Sequence, residues 1–198
     1  GGQFVKITFA NTTLAFNPIS KQSSLKPTKF GADIALVSMW HPDFNGVKEV
    51  TRNGSEPFLI DGPGAYEIDE ITVRGFGVPV KYEGVDRYNT IYQVQLEGMN
   101  IVFLGALADS NIDSSILGAL GDIDILFVPI GDGDVLSVPE ASKLGVKLEA
   151  KCVIPIHYDK KSLEAFLKEE SAESVKPVDK LTLKHKDVSA MEGEIAVL

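Results

Sequence analysis

The stretch Ser38-Met39-Trp40-His41-Pro42-Asp43-Phe44-Asn45 decides the fold through what precedes and follows it. Ahead of it, Ile34-Ala35-Leu36-Val37 is a short continuous apolar run of the kind a buried strand makes. Behind it, Gly46-Val47-Lys48-Glu49-Val50 has helical spacing. A strand that ends in a polar turn at the mouth of a sheet is a common place for chemistry, because the sheet holds rigid what the loop presents. Pro42 followed by Asp43 also suits a helix start, where proline fits the first turn and a carboxylate complements the macrodipole. Asp43 is open to both a structural and a functional reading.

On the N-terminal side, residues 4–9 and 12–16 read as two strands turned by Asn11, then a Ser/Lys/Pro-rich loop spans 17–30. On the C-terminal side, the apolar run 57–60 stops at Asp61-Gly62-Pro63-Gly64, a strong turn signal. Alternation over 66–74 directs Ile68, Ile71 and Val73 inward, and the Gly, Pro and polar mixture of 75–88 predicts a loop or loose hairpin. Residues 90–96 and 101–104, joined by Glu97-Gly98-Met99-Asn100, predict a second hairpin. Helices are expected over 111–120, 138–150 and 162–171, the second with Pro139 in its first turn. Buried strands are expected over 123–129 and 151–156, the latter running into His157-Tyr158, with a final strand pair at 180–183 and 194–198. Strand pairs followed by strand–helix alternation occur once in each half, about 1–88 and 89–198. No convincing linker separates the halves, so one domain over 1–198 is the expectation.

A 44% hydrophobic and 24% charged composition is ordinary for a globular chain of 198 residues. The net charge of −9 argues against nucleic acid as partner, since that needs a Lys/Arg-rich face to displace phosphate counterions. No run approaches the roughly 18 apolar residues of a membrane span. No charged-then-apolar leader is visible, and the single cysteine, Cys152, cannot form an internal disulfide. The expectation is a cytoplasmic protein, with a small molecule or another protein as its partner.

Several further blocks stand in order behind the first. They are Gly62-Pro63-Gly64-Ala65-Tyr66-Glu67-Ile68, Asn89-Thr90-Ile91-Tyr92, Phe103-Leu104-Gly105-Ala106-Leu107, Asp124-Ile125-Leu126-Phe127-Val128-Pro129-Ile130-Gly131, and Ile154-Pro155-Ile156-His157-Tyr158. Together with the opening stretch they resemble the metallo-β-lactamase superfamily, in its small Zn-dependent hydrolase-like branch. The resemblance implies an α/β fold, an αββα four-layer sandwich. It also implies a dinuclear metal site built on an H-x-H-x-D-H loop, a bridging aspartate and a final histidine. On this chain the three histidine positions of the loop fall on Met39, His41 and Phe44, its aspartate on Asp43, the bridge on Ala106, and the last histidine on His157.

The ligand set is therefore depleted. Remnant ligands are His41, Asp43 and His157; Met39, Phe44 and Ala106 stand at substituted positions. Catalytic zinc usually takes three protein ligands and keeps one position open for water, and neither inherited site reaches three. Replacement ligands would have to come from Asp109, Asp132 or Asp134, in loops expected at the same end of the sheets. With one of these, a single Zn, or Mn or Fe, would find two histidines and two carboxylates. Against that, Met39, Trp40 and Phe44 would each contribute about 1.5–3 kcal/mol if buried, and so would fill the pocket the metals need. A hydrogen-bonded cluster of His41, Asp43 and His157 is the structural expectation, with His185 on the surface and Cys152 an inert core thiol. No G-x-S-x-G elbow, P-loop or structural-zinc spacing competes. The Gly131-Asp132-Gly133-Asp134 run lacks the spacing of a calcium loop. The sequence points to a hydrolase-like fold used without a cofactor, as a binding or regulatory module. The rival is a mononuclear metal-dependent hydrolase of a phosphoester, or of a small cyclic ester or amide, using His41, Asp43 and His157.

Overall fold

In the computed structural model, which describes residues 2–27, 29–131 and 133–198, the apolar runs pair into two sheets. One holds β1 (Val5–Phe9), β2 (Thr12–Phe16), β3 (Ile34–Leu36) and β4 (Phe58–Ile60), in that order. The other runs from β5 (Gly64–Ile68) through β6 (Ile71–Tyr82), β7 (Val85–Leu96), β8 (Met99–Phe103) and β9 (Ile125–Pro129) to β10 (Cys152–Ile156) and β11 (Glu194–Ile195). Strands β8, β9, β10 and β11 are parallel, as are β2, β3 and β4, so their C-terminal ends share one edge of each sheet.

The sheets face each other across an apolar layer that includes Phe16, Leu36 and Ile60 on one side and Val73, Tyr92 and Phe103 on the other. The Phe16 and Phe103 rings meet across it at 5.0 Å. On the far side of the larger sheet lie α1 (Ser114–Leu120), α2 (Val138–Lys147) and α3 (Lys160–Glu169). Their starts are fixed locally: Asp113 caps α1, while Ser137 with Glu140 and Asp159 with Ser162 close capping boxes on α2 and α3. On the far side of the smaller sheet, Ala15, Ala35 and Val37 are covered by Val47 and Val50 of a single 3-10 turn, Val47–Val50. The layers follow the αββα order, with the first helical layer thinned to that turn and its loops. A fourth short helix, α4 (His185–Val188), lies near the C-terminus.

Four sequence expectations change. Residues 75–88, expected as loop or loose hairpin, continue β6 and β7 as two paired strands of 12 residues each. The glycines that read as loop have another cause: a Cβ on Gly75 would stand 2.8 Å from Gly62 O, and one on Gly77 2.9 Å from Pro63 Cγ. The turn at 61–64 lies across the strand there, and only glycine leaves it room. This hairpin also carries position 88 inside β7, so the division near 88/89 falls within a strand. The alternating run 66–74 is split by a turn between β5 and β6. In the tail, 180–183 forms no strand, and Glu194–Ile195 instead joins β10 in parallel, extending the sheet by hydrogen bonds that a final hairpin would have spent on itself.

Tyr92 ties the two sheets. Its ring is fully buried, and its hydroxyl donates to Val37 O at 2.8 Å, with Ile60 O at 3.1 Å. Both carbonyls lie just at the ends of β3 and β4, where burial leaves no water to take the hydroxyl's place. Tyr92→Phe should therefore cost about 1–3 kcal/mol in urea unfolding with an unchanged m-value. A loss below about 0.5 kcal/mol would show that these carbonyls find other partners.

Candidate functional site

The edge where the parallel strands end collects four chain segments: the loop after β3, the loop after β8, the loop after β9, and His157 after β10. The support beneath them is polar and closed. Ser38 N donates to Asn17 Oδ1 at 2.8 Å, Asn17 Nδ2 donates to Ser38 Oγ at 2.9 Å, and Thr90 N donates to Ser38 O at 2.7 Å. Asn89 holds the next loop, donating to Leu104 O at 2.9 Å and accepting from Ala106 N at 2.8 Å. Gly105 between them has φ of +61°, and a Cβ there would stand 2.4 Å from Asn89 Oδ1. The scaffold of a ligand-bearing loop is present.

What it presents is largely apolar. Met39, Phe44 and Ala106 are buried and belong to one apolar cluster with Tyr82. Trp40, expected to help fill the pocket, instead points outward at 55% exposure and donates from Nε1 to Asp61 Oδ2 at 3.1 Å. Pro42 in between turns the chain before Phe44, so residues 39 and 44 face in while 40 faces out.

His41 is buried and engaged on both ring nitrogens. Its Nδ1 accepts from Asp43 N at 3.3 Å and lies 3.7 Å from Asp43 Oδ2, and its Nε2 is 3.2 Å from Glu83 Oε2. With Nδ1 accepting from Asp43 N, Nε2 is the ring nitrogen that donates to Glu83. The carboxylate of Asp43 also accepts a hydrogen bond from Ser23 Oγ. Glu83 sits at the tip of the β6–β7 hairpin, and its backbone N–H donates to Asp134 Oδ1 at 3.0 Å.

Two aromatic rings pack against both His41 and His157. Tyr82 lies 5.1 Å from the His41 ring and 6.4 Å from that of His157, edge-on to both. Phe44 lies 5.6 Å from His41, 6.5 Å from His157 and 5.4 Å from Tyr82. Burial, aided by the carboxylates of Asp43, Glu83 and Asp134, raises the Tyr82 pKa far above the usual tyrosine range, so the hydroxyl keeps its proton. Burial likewise lowers the His157 pKa against the pull of Asp43 and Asp134, and favours the neutral ring. The Nδ1 of His157 is buried without a hydrogen-bond partner among the described residues.

The expected hydrogen-bonded cluster thus forms only in part: His41 and Asp43 are joined, while His157 meets the group through ring packing. Of the replacement ligands, Asp134 is brought near, Asp109 lines a separate cleft with Arg87 and Tyr88, and Asp132 lies outside the described residues. Both ring nitrogens of His41 are engaged within the protein, by Asp43 N and Glu83 Oε2. A ligand set must aim lone pairs at one point roughly 2.0 Å from each histidine nitrogen, and here the Phe44 and Tyr82 rings pack against both histidine rings, at 5.1–6.5 Å. The carboxylates nearest His41 lie on opposite ring nitrogens and cannot converge on a common ion. Among the described residues no group of three or more His, Cys, Asp or Glu is placed to hold one.

A model of the Beta-lactamase superfamily domain matches residues 2–157. The chain belongs to that family. Curated relatives include metal-dependent hydrolases of Bacillus licheniformis and Listeria innocua, each 26% identical over 192 residues. The matches cover 80% of this chain in both cases, and 82% and 83% of those proteins respectively. Among solved structures, a putative Zn-dependent hydrolase of the metallo-β-lactamase superfamily from Thermotoga maritima superposes with a TM-score of 0.75 at 23% identity. That match covers 100% of this chain and 94% of the other. A structure described as a possible metal-dependent hydrolase, from Veillonella parvula, gives 0.63 at 15%, covering 92% and 96%. These likenesses carry the fold, which is that of the metallo-β-lactamase superfamily.

Tyr82 and Glu83 were not legible as site residues, because they fell in the stretch read as loop. The usable signal was the alternation of Val78, Val80 and Tyr82 before Glu83-Gly84, a two-residue turn with φ of +50° and +74°. That is the geometry of a tight hairpin, but glutamate in place of the usual Asn or Asp hides it. Elsewhere, Cys152 is buried on β10 and its thiol is pushed up to about 11, as suits an inert core residue.

Two outcomes test the packing. Tyr82→Ala should destabilise by about 3–5 kcal/mol and Tyr82→Phe by less than about 1.5 kcal/mol, measured by urea unfolding. Equal small losses would mean that the ring is not packed as described. For His157, the unfolded chain takes up a proton as pH falls below about 6.5, whereas the folded ring resists protonation to lower pH. Stability should be full above that pH and fall below it, and His157→Gln should flatten the fall; a profile identical to wild type would remove His157 as its cause.

Proposed function

We propose that this protein uses a hydrolase-like fold as a non-catalytic binding or regulatory module. The observation that carries the reading is the pair of rings, Phe44 and Tyr82, each packed against both His41 and His157. Two-metal hydrolysis needs a water held between two cations, and hence a bridging acid and an open, polar cavity. Here the bridging position is Ala106, wholly buried, and its neighbours in space are apolar. Support also comes from His41, whose two nitrogens are committed to Asp43 and Glu83.

A mononuclear hydrolase is the rival reading. It is favoured by the names of the relatives, which are metal-dependent hydrolases, and by the closeness of Asp43 and Asp134 to His157. In that reading a metal held by His41, Asp43 and His157 would act on a phosphoester, or on a small cyclic ester or amide. It requires the hairpin tip to lift Tyr82 out of the pocket.

Elemental analysis of protein purified without chelators separates the two, with His157→Ala beside wild type. The module reading predicts no stoichiometric Zn, Mn or Fe and a thermal midpoint unmoved by chelator. One metal per chain, lost in His157→Ala, would overturn it in favour of a metal-bound site.

A further inference from the structure

The charge of this chain is distributed unevenly. Residues 1–56 carry six lysines and arginines against four acids, a net of +2; the whole chain is at −9, so residues 57–198 carry −11. The surplus is focused in one place. Beside the 3-10 turn, a cleft of about 530 Å3 is lined by Lys21, Lys29, Lys48 and Arg52, with a single acid, Glu49, among the lining residues. This volume lies within the roughly 300–1,000 Å3 of small-molecule sites, but the cleft is open and polar, which suits a ligand that stays partly hydrated.

The cations differ in what they have left to offer. Arg52 is locked: Nη1 lies 2.9 Å from Asp33 Oδ1, and Nη2 donates to Gly31 O at 3.1 Å and Thr13 Oγ1 at 3.3 Å. A Cβ on Gly31 would stand 2.8 Å from Arg52 Cβ, so glycine is what lets the arginine lie across the loop. Lys21 is offset by Glu49 at 3.3 Å. Lys29 and Lys48 have no ion-pair partner among the described residues and are exposed, so two positive charges face the cleft uncompensated.

We propose that this cleft binds a small phosphate-bearing anion, held chiefly by Lys29 and Lys48 over the fixed Arg52–Asp33 frame. Phosphate is favoured over carboxylate because the planar fork that would take a carboxylate is already held by Asp33 and Gly31 O. Lysine ammoniums act as mobile point charges and adapt to a tetrahedral oxyanion. Among the described lining residues the aromatic ring is already occupied: Phe30 is packed against Phe4 at 5.4 Å and carries Lys6 Nζ at 4.8 Å from its centroid. Recognition is therefore of charge, not of a nucleobase. This site is separate from the His41 pocket, and it stands whichever reading of that pocket holds.

Titration calorimetry with inorganic pyrophosphate at constant ionic strength tests it, using wild type and the double variant Lys29→Gln/Lys48→Gln. Both side chains are exposed, so the variant retains the fold, which its thermal midpoint checks. The expected result is saturable binding by wild type, weakened at least about tenfold in the variant and by added salt. A parallel arm uses phosphatidylcholine vesicles doped with phosphatidic acid. Sedimentation competed by pyrophosphate would place a lipid phosphate in the same cleft, and pyrophosphate binding without sedimentation would support a soluble ligand. The absence of saturable pyrophosphate binding, or equal affinity in the double variant, overturns the proposal.

Discussion

The apolar contact between the two sheets is the constraint on which the rest depends. It sets the parallel strands of both sheets side by side, so that the ends of β3, β8, β9 and β10 open onto one rim. Tyr92 reinforces it with a hydroxyl that serves two carbonyls of the smaller sheet from within the larger. Once that contact is made, the loop carrying Met39 to Phe44, the loop carrying Ala106, and His157 have little freedom about where to meet. The scaffold brings these positions together whether or not they carry metal ligands.

What occupies the meeting point follows from burial. In a buried, dry setting an unpaired charge is costly, while a ring that displaces water contributes stability. Phe44 and Tyr82 fill the space, and the charged groups are pushed to its margin: Glu83 is exposed at the hairpin tip, and Asp43 is satisfied by Ser23 and the His41 loop. Tyr82 and His157 are both held in their neutral forms by this environment. The hairpin β6–β7 thus does more than extend the sheet. Its tip brings Tyr82 into ring contact with both histidines.

The fold was legible because its signals are local and ordered. The run Ile34 to Val37, the turn at 61–64, and the blocks around Gly105 and His157 each report a backbone requirement that survives when ligands change. Gly105, for example, answers to the close approach of Asn89 and Ser38, not to any metal. Met39, Phe44 and Ala106, read from the resemblance as substituted positions, are buried side chains of one apolar cluster. The role of Tyr82 was not legible, because its contacts with His41 and His157 span 41 and 75 residues and depend on a hairpin masked by Gly75, Pro79 and Glu83-Gly84. The outward turn of Trp40 was missed for a related reason: burial of an aromatic residue in a loop depends on the neighbouring turn, here Asp61, and not on its own hydrophobicity.

The proposed reading stands on aromatic packing, in place of a shared metal, between His41 and His157. Long-range 1H–15N correlation of the imidazole rings, recorded before and after one equivalent of Zn2+, measures this directly. The account predicts that His41 shows a protonated Nε2 with Nδ1 as acceptor, and that the ring nitrogens of His41 and His157 keep their shifts when zinc is added. Simultaneous movement of both sets of nitrogens, saturating at one equivalent, would contradict it.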